Sequence, residues 1–231
     1  MGKHRMPSTG AAASRGFTLV ELLVALFAMA LLAILSWRGL DGMTRAQAQT
    51  EARADEVLTL QIGLAQWAAD LDAVTQLPNT AALDWNGRVL RLTRRATTSA
   101  AEGLLVVGWT RREINGTGMW LRWQSPPVTT RGELQEQWLR ADIWSQNPGD
   151  EEKRLEVAVT PLAQWQLFYF RENAWTNPLS SAATVPGGTA TSTVTPVMPD
   201  GVRLILSLPP GQAIGGTLTR DWAQPTLGAT R

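Results

Sequence analysis

The 231-residue chain has no cysteine and a single histidine, His4. Without cysteine, the chain can form neither disulfides nor thiolate metal sites. His4 lies within the first sixteen residues, so the rest of the chain also lacks the imidazole that acyl-transfer triads and many transition-metal sites use. We therefore expect neither an enzyme nor a cofactor-binding protein.

Acidic residues are missing from the N-terminus. The first sixteen residues contain Lys3, Arg5 and Arg15 and no Asp or Glu. The net charge of +1 thus divides into +3 in this segment and −2 in the remainder, which has 18 basic and 20 acidic residues. A nearly neutral body gives no reason to expect a nucleic-acid partner.

Polar residues are almost absent from residues 17–37. This 21-residue run is longer than the apolar core of a secretory signal and long enough to span a bilayer. The small residues suited to signal cleavage, residues 11–14, precede the run rather than follow it. We predict a retained transmembrane helix with its basic flank in the cytoplasm and the bulk of the chain outside.

Glu21 is the exception within the apolar run. A carboxylate in hydrocarbon costs about 3 kcal/mol even on lenient scales. If the chain were cut between Gly16 and Phe17, the new α-amine would lie one helical turn from Glu21 and could neutralise it, within one chain or between neighbours. The alternative is a polar side chain near the membrane surface that snorkels outward.

Residues 15–24, RGFTLVELLV, resemble the class III signal of type IV pilins and pseudopilins. The resemblance implies that a prepilin peptidase cuts after Gly16 and methylates Phe17, and that Glu21 is needed for entry into a filament. It also implies a single-pass protein of the bacterial inner membrane with a periplasmic head. The predicted organisation is a cleaved leader (1–16), a transmembrane part of one helix (17–37), the rest of that helix (38–74) and the head (75–231).

The chain has no proline between Phe17 and Leu77. Apolar residues spaced 3, 4, 3, 4 and 3 apart follow the membrane run and place one side of a helix against a core. They are Val57, Leu60, Leu64, Trp67, Leu71 and Val74. We predict one helix from Phe17 to about Val74.

The remainder of the chain has the pattern of strands at hairpin spacing, with no second long helix. The predicted strands are 88–93, 104–109, 119–124, 137–144, 155–160, 164–171, 202–208 and 217–220. Residues 176–201, rich in Ser, Thr, Ala, Gly and Pro, are predicted to form a mobile loop. The predicted fold class is α+β: a long N-terminal helix packed on a strand-rich head with antiparallel sheets.

Three further segments resemble the J-type minor pseudopilin of type II secretion. They are residues 37–41, residues 168–170 with Trp175, and residues 199–204 with 216–220. The resemblance implies a structural component of the pseudopilus tip that initiates the pseudopilus and is needed for protein export. The implied partners are the I-type and K-type minor pseudopilins, with the H-type as a further candidate, the major pseudopilin and the prepilin peptidase. A minor pilin of a type IV pilus is the alternative.

Two other classes of function have candidate residues. Asp70 with Asp72, and the turn Asp150-Glu151-Glu152, are carboxylate pairs or clusters of the kind used in acid–base chemistry or calcium binding. The second cluster fits no EF-hand spacing, and a solvated turn explains it more simply. Eleven tryptophans raise the alternative of a membrane-tethered carbohydrate-binding head, but they are dispersed, and Trp120 and Trp123 should face opposite sides of one strand.

Overall fold

The computed structural model of the chain describes residues 16–78, 80–96, 103–181 and 198–225. The helices are α1 (Leu19–Asp72), α2 (Arg131–Gln146), α3 (Asp150–Arg154) and α4 (Pro178–Ser181). The strands are β1 (Leu83–Trp85), β2 (Val89–Arg95), β3 (Leu104–Ile114), β4 (Thr117–Gln124), β5 (Glu156–Pro161), β6 (Gln164–Arg171), β7 (Ala174–Thr176), β8 (Gly201–Leu208) and β9 (Gly216–Ala223). A long N-terminal helix followed by antiparallel sheets confirms the predicted α+β class.

The chain divides into two compact units, Met1–Glu51 and Ala52–Arg231. The described part of the first unit is helical from Leu19 onward, and every residue in it is exposed. Most of the predicted leader and most of the predicted loop at 176–201 lie outside the described residues.

The second unit contains two antiparallel sheets. One has the strand order β1-β2-β3-β4-β5 and the other the order β7-β6-β8-β9. Two-residue turns close two of the hairpins, Asn115-Gly116 between β3 and β4 and Glu172-Asn173 between β6 and β7. All four turn residues have positive φ, as such turns require. Seven of the eight predicted strands correspond to strands of these sheets.

The main core lies between the last part of α1 and the inner faces of both sheets. From α1 it takes the buried side chains of Leu60, Trp67 and Leu71, with Leu64 packed at its edge. These residues belong to the predicted apolar stripe, so the stripe is confirmed as the face that meets the core. No proline interrupts the helix between Phe17 and Leu77. Its buried residues all lie in its last turns, from Leu60 to Leu71.

Gly63 lies on the same buried face, where α1 packs against Val159 of β5. A Cβ atom at this position would overlap Cγ1 of Val159. We expect Gly63→Ala to destabilise the head by about 1–2 kcal/mol, since overpacking outweighs the gain of about 1 kcal/mol in helix propensity. Gly132→Ala is the matched control, because a Cβ there has open space. Urea unfolding followed by tryptophan fluorescence checks this, and equal midpoints for the two variants would contradict it.

Residues 137–144 form part of α2, so the prediction of a strand there, and of no second long helix, is wrong. The alternation of Leu139, Ala141 and Ile143 with charged residues resembles a strand, but a capping signal precedes it. Thr130 and Glu133 form a capping box that starts the helix. The N–H groups of Thr129 and then Thr130 lower the pKa of the exposed Glu133 carboxyl by hydrogen bonding to it.

A second core lies between α2 and the opposite face of the five-stranded sheet. Trp144 and Leu134 of α2 are buried there in one cluster with Trp123, and the Trp144 ring stacks on that of Trp123. Trp120, three residues earlier on β4, belongs to the main core instead. The predicted alternation of these two tryptophans is therefore confirmed. Six of the eleven tryptophans are buried, and they are Trp67, Trp109, Trp120, Trp123, Trp144 and Trp222.

Candidate functional site

The N-terminal end of α1 is a capping box built from Thr18 and Glu21. The N–H of Thr18 donates to Oε2 of Glu21 at 3.0 Å, and the Thr18 hydroxyl donates to the same oxygen at 2.9 Å. In return the N–H of Glu21 donates to the Thr18 hydroxyl at 3.3 Å. This arrangement satisfies N–H groups that would otherwise be unpaired at a helix start. It also fixes the direction of the Glu21 carboxylate.

Only one of the two carboxylate oxygens of Glu21 takes part in this box. Among the described residues, Oε1 has no hydrogen-bond partner. A carboxylate accepts at both oxygens, so Oε1 is available to a donor from outside the chain. The capping box thus fixes the direction of the carboxylate through Oε2, while Oε1 has no partner among the described residues. We call this a half-open carboxylate.

Gly16 and Phe17 precede the helix rather than form its first turn, because α1 begins at Leu19. They lie outside regular secondary structure, and the Phe17 side chain is 85% exposed. Apart from Gly16 and its chain neighbours, no atom of the described residues lies within 4 Å of the position that a Cβ at Gly16 would occupy. The peptide bond between these two residues therefore lies on an exposed segment outside regular secondary structure.

The helix that follows carries its apolar side chains outward. Among the described residues, α1 is the one helix long and apolar enough to cross a membrane. No residue in its most apolar 18-residue segment is buried. Large exposed side chains occur on all its sides, among them Leu22, Leu23, Phe27 and Leu32. A helix that is apolar all round and exposed in water is unfavourable, whereas the same helix in lipid or against other helices is stable.

The carboxylate of Asp70 has a different environment from the one expected of an acid–base pair. It is fully buried in the main core, where it accepts hydrogen bonds from Arg94, Arg122, Trp109 and Gln66. The Trp109 indole N–H donates to Oδ2 at 2.9 Å, and Nε of Arg122 donates to the same oxygen at 2.8 Å. With its acceptor positions filled, Asp70 is suited to hold α1 on the five-stranded sheet.

The remaining candidate carboxylates do not converge on a site. Asp72 accepts from the indole N–H of Trp222 at 2.7 Å and so contacts the second sheet. The cluster 150–152 begins the short helix α3, where Glu152 accepts from the N–H of Gly149. Within the part of the chain that the structure describes, no three Asp, Glu or His side chains are grouped as they would be to hold a metal ion.

Two features of these sites were missed in the sequence. Thr18 was not singled out, although its spacing of three residues from Glu21 is the signature of a capping box. Three of the four partners of Asp70 had no local signal, because they lie 24, 39 and 52 residues away along the chain.

Comparison with known proteins bears on the same N-terminal segment. Residues 12–37 match the family model described as the prokaryotic N-terminal methylation motif. A comparison of the chain with curated proteins gives no match. The matched range includes the open Gly16–Phe17 segment, the Thr18–Glu21 capping box and the exposed apolar part of α1. The N-terminal methylation motif indicates a type IV pilin-like protein.

Proposed function

We propose that this chain is a minor pseudopilin at the tip of a type II secretion pseudopilus, where it helps to initiate assembly. The observation that carries the proposal is the half-open Glu21 carboxylate at the start of an unburied apolar helix. The resemblance of residues 37–41, 168–170 and 199–204 to J-type minor pseudopilins supports the choice of machine.

The proposed assembly step is the pairing of charges between neighbouring subunits. A prepilin peptidase cuts after Gly16, which creates an α-amine at Phe17 and allows its methylation. Oε1 of Glu21 then accepts a hydrogen bond from the N-terminal ammonium of the adjacent subunit. Two charges that are each costly in hydrocarbon are neutralised together, and the apolar faces of the two helices pack against each other.

In this proposal the head is structural rather than catalytic. The carboxylate of Asp70, the most deeply buried candidate, accepts from four side chains and has no access to a substrate. The chain would span the inner membrane once, with residues 1–16 in the cytoplasm before cleavage and the head in the periplasm. Its partners would be the I-type and K-type minor pseudopilins, the major pseudopilin and the prepilin peptidase.

Disruption of the gene tests this function against a minor pilin of a type IV pilus. A deletion strain and a strain complemented with the full chain are scored for secreted hydrolase activity and for pilus-dependent motility. Loss of secretion with motility intact is the expected result, restored on complementation. Loss of motility with secretion intact would assign the chain to a type IV pilus, and no change in either would refute both functions.

Substitution of Gly16 tests the assigned cleavage site. We expect Gly16→Leu to leave the chain uncut, because the peptidase accommodates a glycine before the scissile bond in the proposed site. A Cβ here has open space, so the substitution should not disturb the fold. Intact-mass measurement of the purified protein distinguishes the two forms by the mass of the first sixteen residues. A mature mass in the variant would show that the cut lies elsewhere.

A further inference from the structure

Within the described residues, the two sheets of the head have four edge strands, and three of them are protected by short length, irregular pairing or proline against pairing with another chain. β1 and β7 have three residues each. β5 pairs with β4 through a register shift and ends in Pro161. Short strands, irregular pairing, proline and charged side chains are the usual means by which proteins block an edge. β9 is neither short nor irregularly paired and contains no proline, so its protection is limited to the charges of Arg220 and Asp221.

β9 is eight residues long, and all eight pair with β8 in regular antiparallel register. Among the described residues, no other strand pairs with it. The N–H of Gln224 donates to the carbonyl of Asp200 at 2.8 Å and continues this ladder. Because backbone groups alternate in direction along an antiparallel strand, those of Thr217, Thr219 and Asp221 face away from β8. The side chains of these three residues are exposed.

The free edge also carries one unmatched charge. Asp221 is held by Arg203 through two hydrogen bonds of 2.7 Å, which lower the pKa of the Asp221 carboxyl. Arg220 is exposed, and no acidic side chain within the described ranges forms an ion pair with it. The edge therefore favours a strand that brings a negative charge opposite Arg220.

We propose that the free edge of β9 binds one extended strand of a different protein, with an acidic side chain opposite Arg220. A second copy of this chain does not meet that requirement. Residues 216, 218, 220 and 222 lie on the face of β9 that is turned toward the main core, and Asp221 lies on the opposite face. In a two-fold antiparallel pair of β9 strands, residues of the same face lie opposite each other. Arg220 would therefore face one of residues 216, 218, 220 and 222 of the copy and never Asp221. This surface lies in the head, and its use does not depend on the N-terminal segment.

The probe is the acetylated and amidated peptide Thr-Val-Thr-Glu-Thr-Val-Thr. Its sequence is the same in both directions, so it can place Glu opposite Arg220 and Val beside Leu218 in either strand orientation. The control peptide has Lys in place of Glu. Binding is followed by residue-resolved hydrogen exchange of the full chain in detergent micelles, and affinities come from fluorescence anisotropy of labelled peptides.

We expect the Glu peptide to slow exchange at Thr219 and Asp221 at least tenfold, and to bind about threefold more tightly than the Lys peptide. Thr219→Pro removes an outward N–H without touching the β8 ladder and should abolish binding. Arg220→Glu changes an exposed side chain and should reverse the preference between the two peptides. This second variant tests the proposal even if the proline at position 219 disturbs the fold.

Three results would overturn the proposal. The first is the absence of protection at β9 with either peptide. The second is an unchanged preference in Arg220→Glu. The third is protection of Thr219 and Asp221 that rises with protein concentration alone, since that would identify a second copy as the occupant.

Discussion

Replacing Glu21 with alanine should leave the chain processed but largely unassembled. The substitution removes the acceptor for the neighbour's N-terminal amine, which then remains unpaired in hydrocarbon at a cost of about 3 kcal/mol. A loss of that size corresponds to roughly a hundredfold lower occupancy of the assembled state. Gly16 and Phe17 precede the helix, and among the described residues the Glu21 side chain forms hydrogen bonds with Thr18 and with neither of these two. Mature protein should therefore accumulate in the membrane while the sheared pseudopilus fraction loses it.

Two matched variants separate the charge of Glu21 from its role in the capping box. Thr18→Ala removes the hydroxyl that bonds Oε2 but keeps the carboxylate, so assembly should fall only modestly. Glu21→Gln keeps an acceptor for the Thr18 N–H but has no charge, so it should fail nearly as severely as alanine. If the glutamine variant assembled normally and the Thr18 variant did not, helix capping rather than charge pairing would explain Glu21.

The elements that could be predicted from the sequence are those whose signals are local. The stripe of Leu60, Trp67 and Leu71 has helical spacing, and the alternation of Trp120 and Trp123 places them in two different cores. α2 was missed because its apolar residues also alternate, and the capping box of Thr130 and Glu133 decides between helix and strand. The pattern of apolar residues alone does not distinguish a helix from a strand here, because the exposed side of α2 also carries apolar residues, Leu139 and Ile143.

The structural role of Asp70 could not be predicted from the sequence, because its hydrogen-bond partners are brought together only by the tertiary fold. The local sequence around a buried carboxylate near the end of a helix is the same whether that carboxylate takes part in catalysis or holds two structural elements together. Here Arg94, Trp109 and Arg122 come from three adjacent strands of one sheet, and pairing of those strands brings them to the same point. Asp72, two residues later, bonds to Trp222 of the other sheet. The last turn of α1 is thus attached to both sheets by neighbouring carboxylates.

Substitution of Asp70 should have the largest effect on the stability of the head. Asp70→Ala leaves Arg94, Arg122 and the Trp109 indole N–H without the acceptor that they share. Removing one partner of a buried ion pair costs about 3–5 kcal/mol, because the remaining charge stays desolvated. That loss is a large fraction of the free energy of unfolding of an ordinary domain. Urea unfolding of the full chain in detergent, followed by tryptophan fluorescence, measures it.

Asp72→Ala and Asp70→Asn are the controls that identify the cause. Asp72→Ala removes one hydrogen bond from a residue at the surface and should cost about 1 kcal/mol. Asp70→Asn keeps the shape and part of the hydrogen bonding but removes the negative charge, so its cost should lie close to that of Asp70→Ala if the two arginines dominate. A cost near that of Asp72→Ala for both Asp70 variants would mean that solvent reaches the arginines. The ion pairs would then contribute little, and α1 would be held on the sheets by the apolar packing of Leu60, Trp67 and Leu71 alone.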